Sequence, residues 1–285
     1  MKLMKFKEKF FRTLFIIAAA VSIISVCLIC VFLFSSGIPT IFKIGPIKFL
    51  FGTEWKPSAN SFEIFPFILG SIYVTAGAIL LGCPIGIITA VFLAKFCPKK
   101  LHKILSNAIQ LLAGIPSIIF GFFGLVVLVP AIRDIFGGAG KGLLTASVLL
   151  AIMILPTIIA VSETALRGVT ESYYEGALAL GATHGRAVYS VILKAAKSGI
   201  VAGVVLGIGR AIGETMAVVM IAGNQPIIPE SLTGGLRTLT TNIVLEMGYA
   251  SGLHRDALIA TAVVLFVFIL AINILLSLSK KEGAK

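Results

Sequence analysis

The sequence predicts an all-α polytopic membrane protein with six transmembrane helices, and three observations carry that reading. Uncharged apolar runs of about 20 residues, the length that crosses a bilayer, recur along the 285-residue chain. Composition agrees, because 58% hydrophobic residues and a mean hydropathy of +1.07 exceed what a soluble domain shows. Lys and Arg gather in alternate connections, which is how orientation is set in a membrane.

Residues 1–34 form a basic tail and the first span, Leu14–Phe34. The start resembles a signal peptide, but the run is long enough to span and no A-x-A site follows, so it reads as a retained anchor. Residues 35–66 read as an outer segment whose single tryptophan, Trp55, is expected to anchor at the interface. Residues 67–285 form the core. Span 2 is Phe67–Ala94. Span 3 is Ile104–Ile132, interrupted at Gly114-Ile115-Pro116-Ser117. Span 4 is Gly142–Ser162. Span 5 is Ser198–Ala222 and span 6 is Ala257–Ser279. The outer connection Gly223–Asp256 holds a run, Leu239–Met247, too short to cross and expected to dip in or lie on the surface. Pro156 and the glycines of span 2 read as kinks in packed helices.

Sixteen of the 24 Lys and Arg fall in the N-terminal tail, the turn after span 2, the loop 163–197 and the C-terminal tail. That asymmetry places both termini in the cytoplasm of a cell with the chain in its plasma membrane. The net charge of +12 is therefore a membrane signature, and a nucleic-acid partner is not expected. Cys27 and Cys30 form a C-x-x-C, but no second pair or nearby His completes a zinc set. His102, His184 and His254 are isolated in sequence and read as loop or turn residues. Gly138–Gly142 lacks the spacing and the Ser/Thr of a P-loop, so no ATP site is expected in this chain. No Ser–His–Asp constellation supports a hydrolase.

Span 5 is the exception to apolarity. Gly199, Gly203 and Gly207 form a small-xxx-small pattern that invites close helix contact. Helical rotation places Arg210 and Glu214 on the same face as Gly203 and Gly207, about 6 Å apart along the axis. An intramembrane charge is costly and faces a bundle interior or watery path. Arg210 and Glu214 thus read either as a path for an anion or as a structural ion pair.

The loop 163–197 reads as two short helices joined by a turn: Glu175 to Leu180, a break at Gly181, then Arg186 to Ala196. Its tethering between spans disfavours DNA binding and favours docking to a soluble partner. Glu175, Gly176, Ala177 and Gly181, followed by Val191-Ile192-Leu193-Lys194, resemble the EAA loop of ABC importer permeases, with Gly176, Val191 and Lys194 replacing Ala, Ile and Pro. The segments Gly114–Pro130, Gly209–Asn224 and Thr238–Leu258 are similar to the PstC-type permease of phosphate-specific ABC importers. The resemblance covers the chain from about Trp55 to its end.

That resemblance implies the MetI-like permease fold and a non-enzymatic subunit that carries inorganic phosphate inward. It implies a substrate path at Arg210, Glu214, Thr215 and Ser117, and coupling through Glu175, Gly176, Ala177, Gly181, Val191 and Leu193. The implied partners are a homologous PstA-type half, an ATPase dimer that binds ATP and Mg, and an extracytoplasmic phosphate-binding protein. A permease for sulfate or molybdate remains an alternative. A secondary transporter or channel is disfavoured by the coupling-loop pattern, and an intramembrane enzyme by the lack of a catalytic pair.

Overall fold

The computed structural model describes residues 2–282, with side chains over residues 10–274. The elements in order are α1 (Lys2–Ile44), α2 (Pro46–Phe51), a hairpin of β1 (Trp55–Lys56) and β2 (Ser61–Phe62), and α3 (Phe65–Phe96). They continue with α4 (Lys99–Gly114), α5 (Ser117–Phe136), α6 (Leu143–Arg167), α7 (Glu171–Ala179), α8 (His184–Ala195) and α9 (Lys197–Gly213). The last are α10 (Met216–Ile221), α11 (Leu239–Glu246) and α12 (Gly252–Glu282). Among the described residues, α1, α3, α5, α6 and α12 are long and apolar enough to cross a membrane. Counted as one span, the pair α8 and α9, bent by 68°, would make a sixth by length and composition.

The central span is α6. On one flank α3 runs parallel to it, with Gly82 against the Ala151 carbonyl and Ile154, and Gly86 against Ile158. On the other flank α9 runs antiparallel, with Gly199 against Ala165, Gly203 against Ser162 and Val161, and Gly207 against Ile158 and Ile154. A Cβ at Gly207 would lie 2.9 Å from Ile158 Cγ1, so the expected small-residue seam on span 5 is real and its partner is α6. α1 leans on α12, where Gly37 meets Ala260 and Val263 and Phe34 meets the ring of Phe266 at 5.6 Å, and its end packs Ile41 and Ile44 on the layer of Phe49 and Leu258. Its remaining apolar surface is exposed, as suits a helix facing lipid.

Apolar packing forms three layers. One end holds Phe49, Trp55, Phe62, Ile64, Phe67, Leu239 and Leu258. The middle holds Val74, Leu149, Met153, Ile154, Ala211, Ala217, Val218 and Ile221. The end bearing the loop 163–197 holds Ala90, Leu93, Leu166, Val188, Ile192 and Ile200. Antiparallel pairing of α1 with α12 puts the start of α1 and the end of α12 at that loop end, with the turn at Cys97-Pro98. Lys2, Lys5, Lys7, Lys9, Lys280 and Lys281 have side chains outside the described residues, and Lys285 lies wholly outside them.

Three expectations need correction. The first helix does not stop at Phe34 but runs to Ile44 with Pro39 inside it. Ser35, Ser36, Gly37 and Pro39 interrupt the apolar run without ending the helix. Span 3 is not one helix. α4 begins with Lys99, Lys100 and His102, has one polar face and buries no residue fully, and only α5 has the apolarity to cross. Pro116 separates the two, since it cannot donate to the ladder and holds Ile115 extended (ψ 126°). Trp55 does not sit at an interface. It is buried between Phe62 and Phe67, at 5.4 Å from each ring.

Candidate functional site

Span 5 is broken where its charges lie. α9 ends at Gly213, Glu214 is extended (φ −68°, ψ 129°), Thr215 has φ −124° and ψ −58°, and α10 then starts at Met216. Arg210 and Glu214 therefore do not stand one turn apart on a continuous helix, and among the described residues no ion pair joins them. Rotation along an assumed unbroken helix missed this because the break lacks a proline. Gly213 precedes it, and Thr240 of a distant segment donates to the Glu214 carbonyl within it.

Arg210 is half-buried on the last turn of α9. Its side chain leans toward the helix N-terminus, as helical side chains do, and Nη1 donates to Thr157 Oγ1 of α6 at 3.5 Å. Glu214 turns the other way. Its Oε1 accepts from Ala217 N at 3.2 Å, satisfying one of the free donors at the start of α10. Its main-chain carbonyl accepts from Thr240 Oγ1 of α11 at 3.2 Å. Thr215 Oγ1 is spent locally, donating to Gly213 O at 3.1 Å.

The break at Gly114–Ser117 lies beside this one. Gly121 of α5 rests on Ala217 and Met220, and Gly124 on Ile221, so α5 and α10 run in the same direction. Ser117, half-buried at the start of α5, is thereby brought to within about a turn of the Gly213–Thr215 break. The side of the site away from α6 is open. A Cβ at Gly114, Gly209 or Gly213 would meet no atom within 4 Å, and Ile118, Ile119, Phe122, Leu206 and Met216 are exposed. Arg210, Glu214, Thr215 and Ser117 thus collect around two chain breaks at the edge of an uncovered apolar face.

The loop 163–197 has the predicted form, with α7 starting four residues before Glu175. Thr183 caps α8, and Gly181 has φ +84°, the left-handed turn that a side chain disfavours. Val188 and Ile192 are buried under the bundle. The outward face carries Glu175, Gly176, Tyr173 and Leu178, all exposed, with Ala177 half-buried and Leu180 91% exposed. Val191 and Leu193 are half-buried, and Val191 lines a cavity of about 750 Å³ with Thr170, Tyr173 and Lys194. Behind the loop, Glu163 accepts from Arg167 Nε at 2.8 Å and pairs with His102 at 2.6 Å. This ties α4 to the end of α6.

Sequence reading missed a cluster at the far end. Glu246, 5% exposed, accepts from Trp55 Nε1 at 2.9 Å, from His254 Nε2 at 2.8 Å and from Arg237 Nη1 at 2.5 Å. Arg237 also donates to Asn242 Oδ1 at 2.9 Å and Asn224 O at 3.1 Å. A buried carboxylate needs such partners, but its donors come from segments 191, 9 and 8 residues away, and no local spacing announces them.

The family described as "Binding-protein-dependent transport system inner membrane component" matches residues 82–281. The "Probable ABC transporter permease protein YqgH" of Bacillus subtilis (strain 168) is 39% identical over 246 residues, covering 83% of this chain and 80% of that protein. The "Phosphate transport system permease protein PstC" of Pasteurella multocida (strain Pm70) is 35% identical over 263 residues, 84% of this chain and 82% of that one. In fold, the chain is similar to the MetNI methionine ABC transporter in an inward-facing form (TM-score 0.62, 22% identity, 81% of this chain and 100% of that chain). It is equally similar to a bacterial ABC transporter for the import of alginate (TM-score 0.62, 15% identity, 94% and 96%). Span arrangement, exposed loop and family match agree, and the chain belongs to the binding-protein-dependent transport system inner membrane components, the permease subunits of ABC importers.

Proposed function

We propose that this permease carries inorganic phosphate into the cytoplasm, through a path lined by Arg210, Glu214, Thr215 and Ser117. The observation that carries the reading is the position of Arg210: half-buried in a span, bonded among the described residues only to a neutral hydroxyl, and facing two helix breaks on an uncovered side. An oxyanion crossing a bilayer needs fixed positive charge and oriented donors. A guanidinium supplies both, since it stays protonated and its fork matches two phosphate oxygens. Broken helices supply exposed backbone groups at the same depth. The relatives named as phosphate permeases support this choice of cargo over sulfate or molybdate.

The uncovered face of α4, α5, α9 and α10 suits a homologous PstA-type half, with the path between the two. The exposed face of α7, from Tyr173 to Gly181, suits a groove in an ATPase subunit, one on each half, and that subunit dimer binds ATP and Mg. The residues for coupling are Glu175, Gly176, Ala177, Gly181, Val191 and Leu193. Both termini and this loop lie in the cytoplasm by the distribution of Lys and Arg, in the plasma membrane. A phosphate-binding protein docks on the opposite end, over the β1–β2 hairpin and the connection between α10 and α12.

The test is Arg210→Gln, with phosphate uptake and complex assembly measured together and sulfate as competitor. The reading expects uptake to be lost while assembly is kept, and sulfate not to compete. Normal uptake refutes the path role. Failed assembly assigns Arg210 to structure instead.

A further inference from the structure

Helix α11 meets the rest of the chain at two ends of different chemistry. Its first turn is seated in the bundle. Leu239 N donates to Ser71 Oγ of α3 at 3.0 Å, and Thr240 Oγ1 donates to the carbonyl of Glu214 at 3.2 Å. Gly70 permits that approach, because a Cβ there would collide with the Arg237 carbonyl. Its last residue, Glu246, is the buried carboxylate that gathers Trp55 from the hairpin, Arg237 from the preceding strand-like stretch and His254 from α12. Eight residues of helix span about 12 Å, so the rod is too short to flex between its ends.

A buried ion pair is a poor way to gain stability, since apolar residues of similar volume often do as well. The surroundings here are apolar: Phe49, Phe62, Ile64, Phe67 and Leu258 fill the layer. What three directional bonds to one carboxylate add is a fixed position along and around the helix axis. We propose that Glu246 is a positioning residue for transport: it fixes α11 so that Thr240 holds the Glu214 carbonyl, and with it the width of the break between α9 and α10. This rests on the reading of that break as the path. It makes the buried clamp at the far end, which holds Trp55, the remote control of the path's geometry.

The test uses the importer reconstituted in vesicles. Trp55 is the chain's single tryptophan, so the difference in emission between the importer and its Trp55→Phe variant is its own signal and reports the clamp. Glu246→Gln is expected to shift that emission and to speed amide hydrogen exchange both in residues 239–246 and at the break, residues 213–217. Thr240→Val should speed exchange at 213–217 alone and leave Trp55 emission as it was. Each should lower the maximal phosphate uptake rate by on the order of tenfold, with little change in half-saturation. The double variant should be no worse than the more severe single, because both act through one contact. Glu246→Asp should recover part of the rate. Unchanged exchange at 213–217 in Glu246→Gln, or uptake losses that multiply in the double variant, overturns the proposal. If Glu246→Gln fails to fold, Trp55→Phe removes one of the three donors, and unchanged exchange at 213–217 there overturns it equally. Should the wild-type importer move no phosphate, the cargo reading falls, while hydrogen exchange still decides the clamp.

Discussion

Arg210 Nη1 donates to Thr157 Oγ1 at 3.5 Å, across the seam where Gly203 and Gly207 let α9 lie against α6. The hydroxyl orients the guanidinium without neutralising it. A neutral hydrogen bond is worth about 1 kcal/mol net, and a long one less. Thr157→Val, which keeps the shape, is therefore expected to change half-saturation for phosphate by at most about fivefold. Arg210→Gln is expected to abolish uptake. Initial-rate uptake curves on the two variants check the contrast, and equal losses would mean the hydroxyl does more than orient.

Glu214 caps α10 and, in the proposed path, has a second role that substitution can part from the first. Its Oε1 accepts from Ala217 N and so caps α10. A Gln carbonyl accepts the same bond without the charge, whereas Ala loses it at a cost of about 1 kcal/mol. Glu214→Gln should unfold at the wild-type temperature with altered uptake. Glu214→Ala should show altered uptake and a lower unfolding temperature. Thermal scans of both purified variants decide, and a Gln variant as unstable as the Ala one would refute the cap.

Gly181 has φ +84° and open space where a Cβ would go. The penalty for replacing it is therefore conformational, about 1–2 kcal/mol for most side chains and less for Asn. Gly181→Val is expected to reduce co-purification of the ATPase subunit, and Gly181→Asn to retain most of it. Leu180→Asp, at the most exposed apolar position of the loop, should abolish docking while membrane insertion persists. Wild-type ATPase yield with Gly181→Val would show that the turn is not needed.

Burial pushes the Glu246 carboxyl up, but bonds from Trp55, His254 and Arg237, together with the Arg237 charge, outweigh it and hold the group below the usual carboxylate value. The charged and titratable neighbours that face it are Arg237, His254 and Tyr249, whose own phenol burial and the Glu246 charge push up. A lowered pKa means that the carboxylate's contribution to stability is full above the unfolded value and is lost as pH falls through the folded one. Trp55 emission should thus stay level from neutral pH down through about 4.3, where an ordinary Glu titrates, and change only below it. A transition centred at or above that value would contradict the clamp.

The crossing helices were legible because lipid demands a simple signal: length, apolarity and internal backbone bonding. The seam on α9 was legible too, since glycines at every fourth position have one use. The first helix ran past its expected end because the apolar run stops at Phe34, yet the helix continues through Ser35, Ser36 and Pro39 to Ile44. The break at Gly213 and the burial of Trp55 were hidden for a common reason. Each is fixed by partners far along the chain, Thr240 for the one and Glu246 for the other, and no local pattern encodes a contact made by folding.

The two pieces of span 5 keep different company. α9 lies against α6, through Gly199, Gly203 and Gly207, while α10 lies against α5, through Ala217, Met220 and Ile221. α9 is also joined by a 68° bend to α8, the second helix of the loop. A push delivered to that loop can therefore tilt α9 about Gly213 and leave α10 at rest on its neighbour. The span is built as two segments joined at Gly213, and the guanidinium lies about one turn from that joint, so a tilt of α9 would shift it by only a fraction of what the loop end moves.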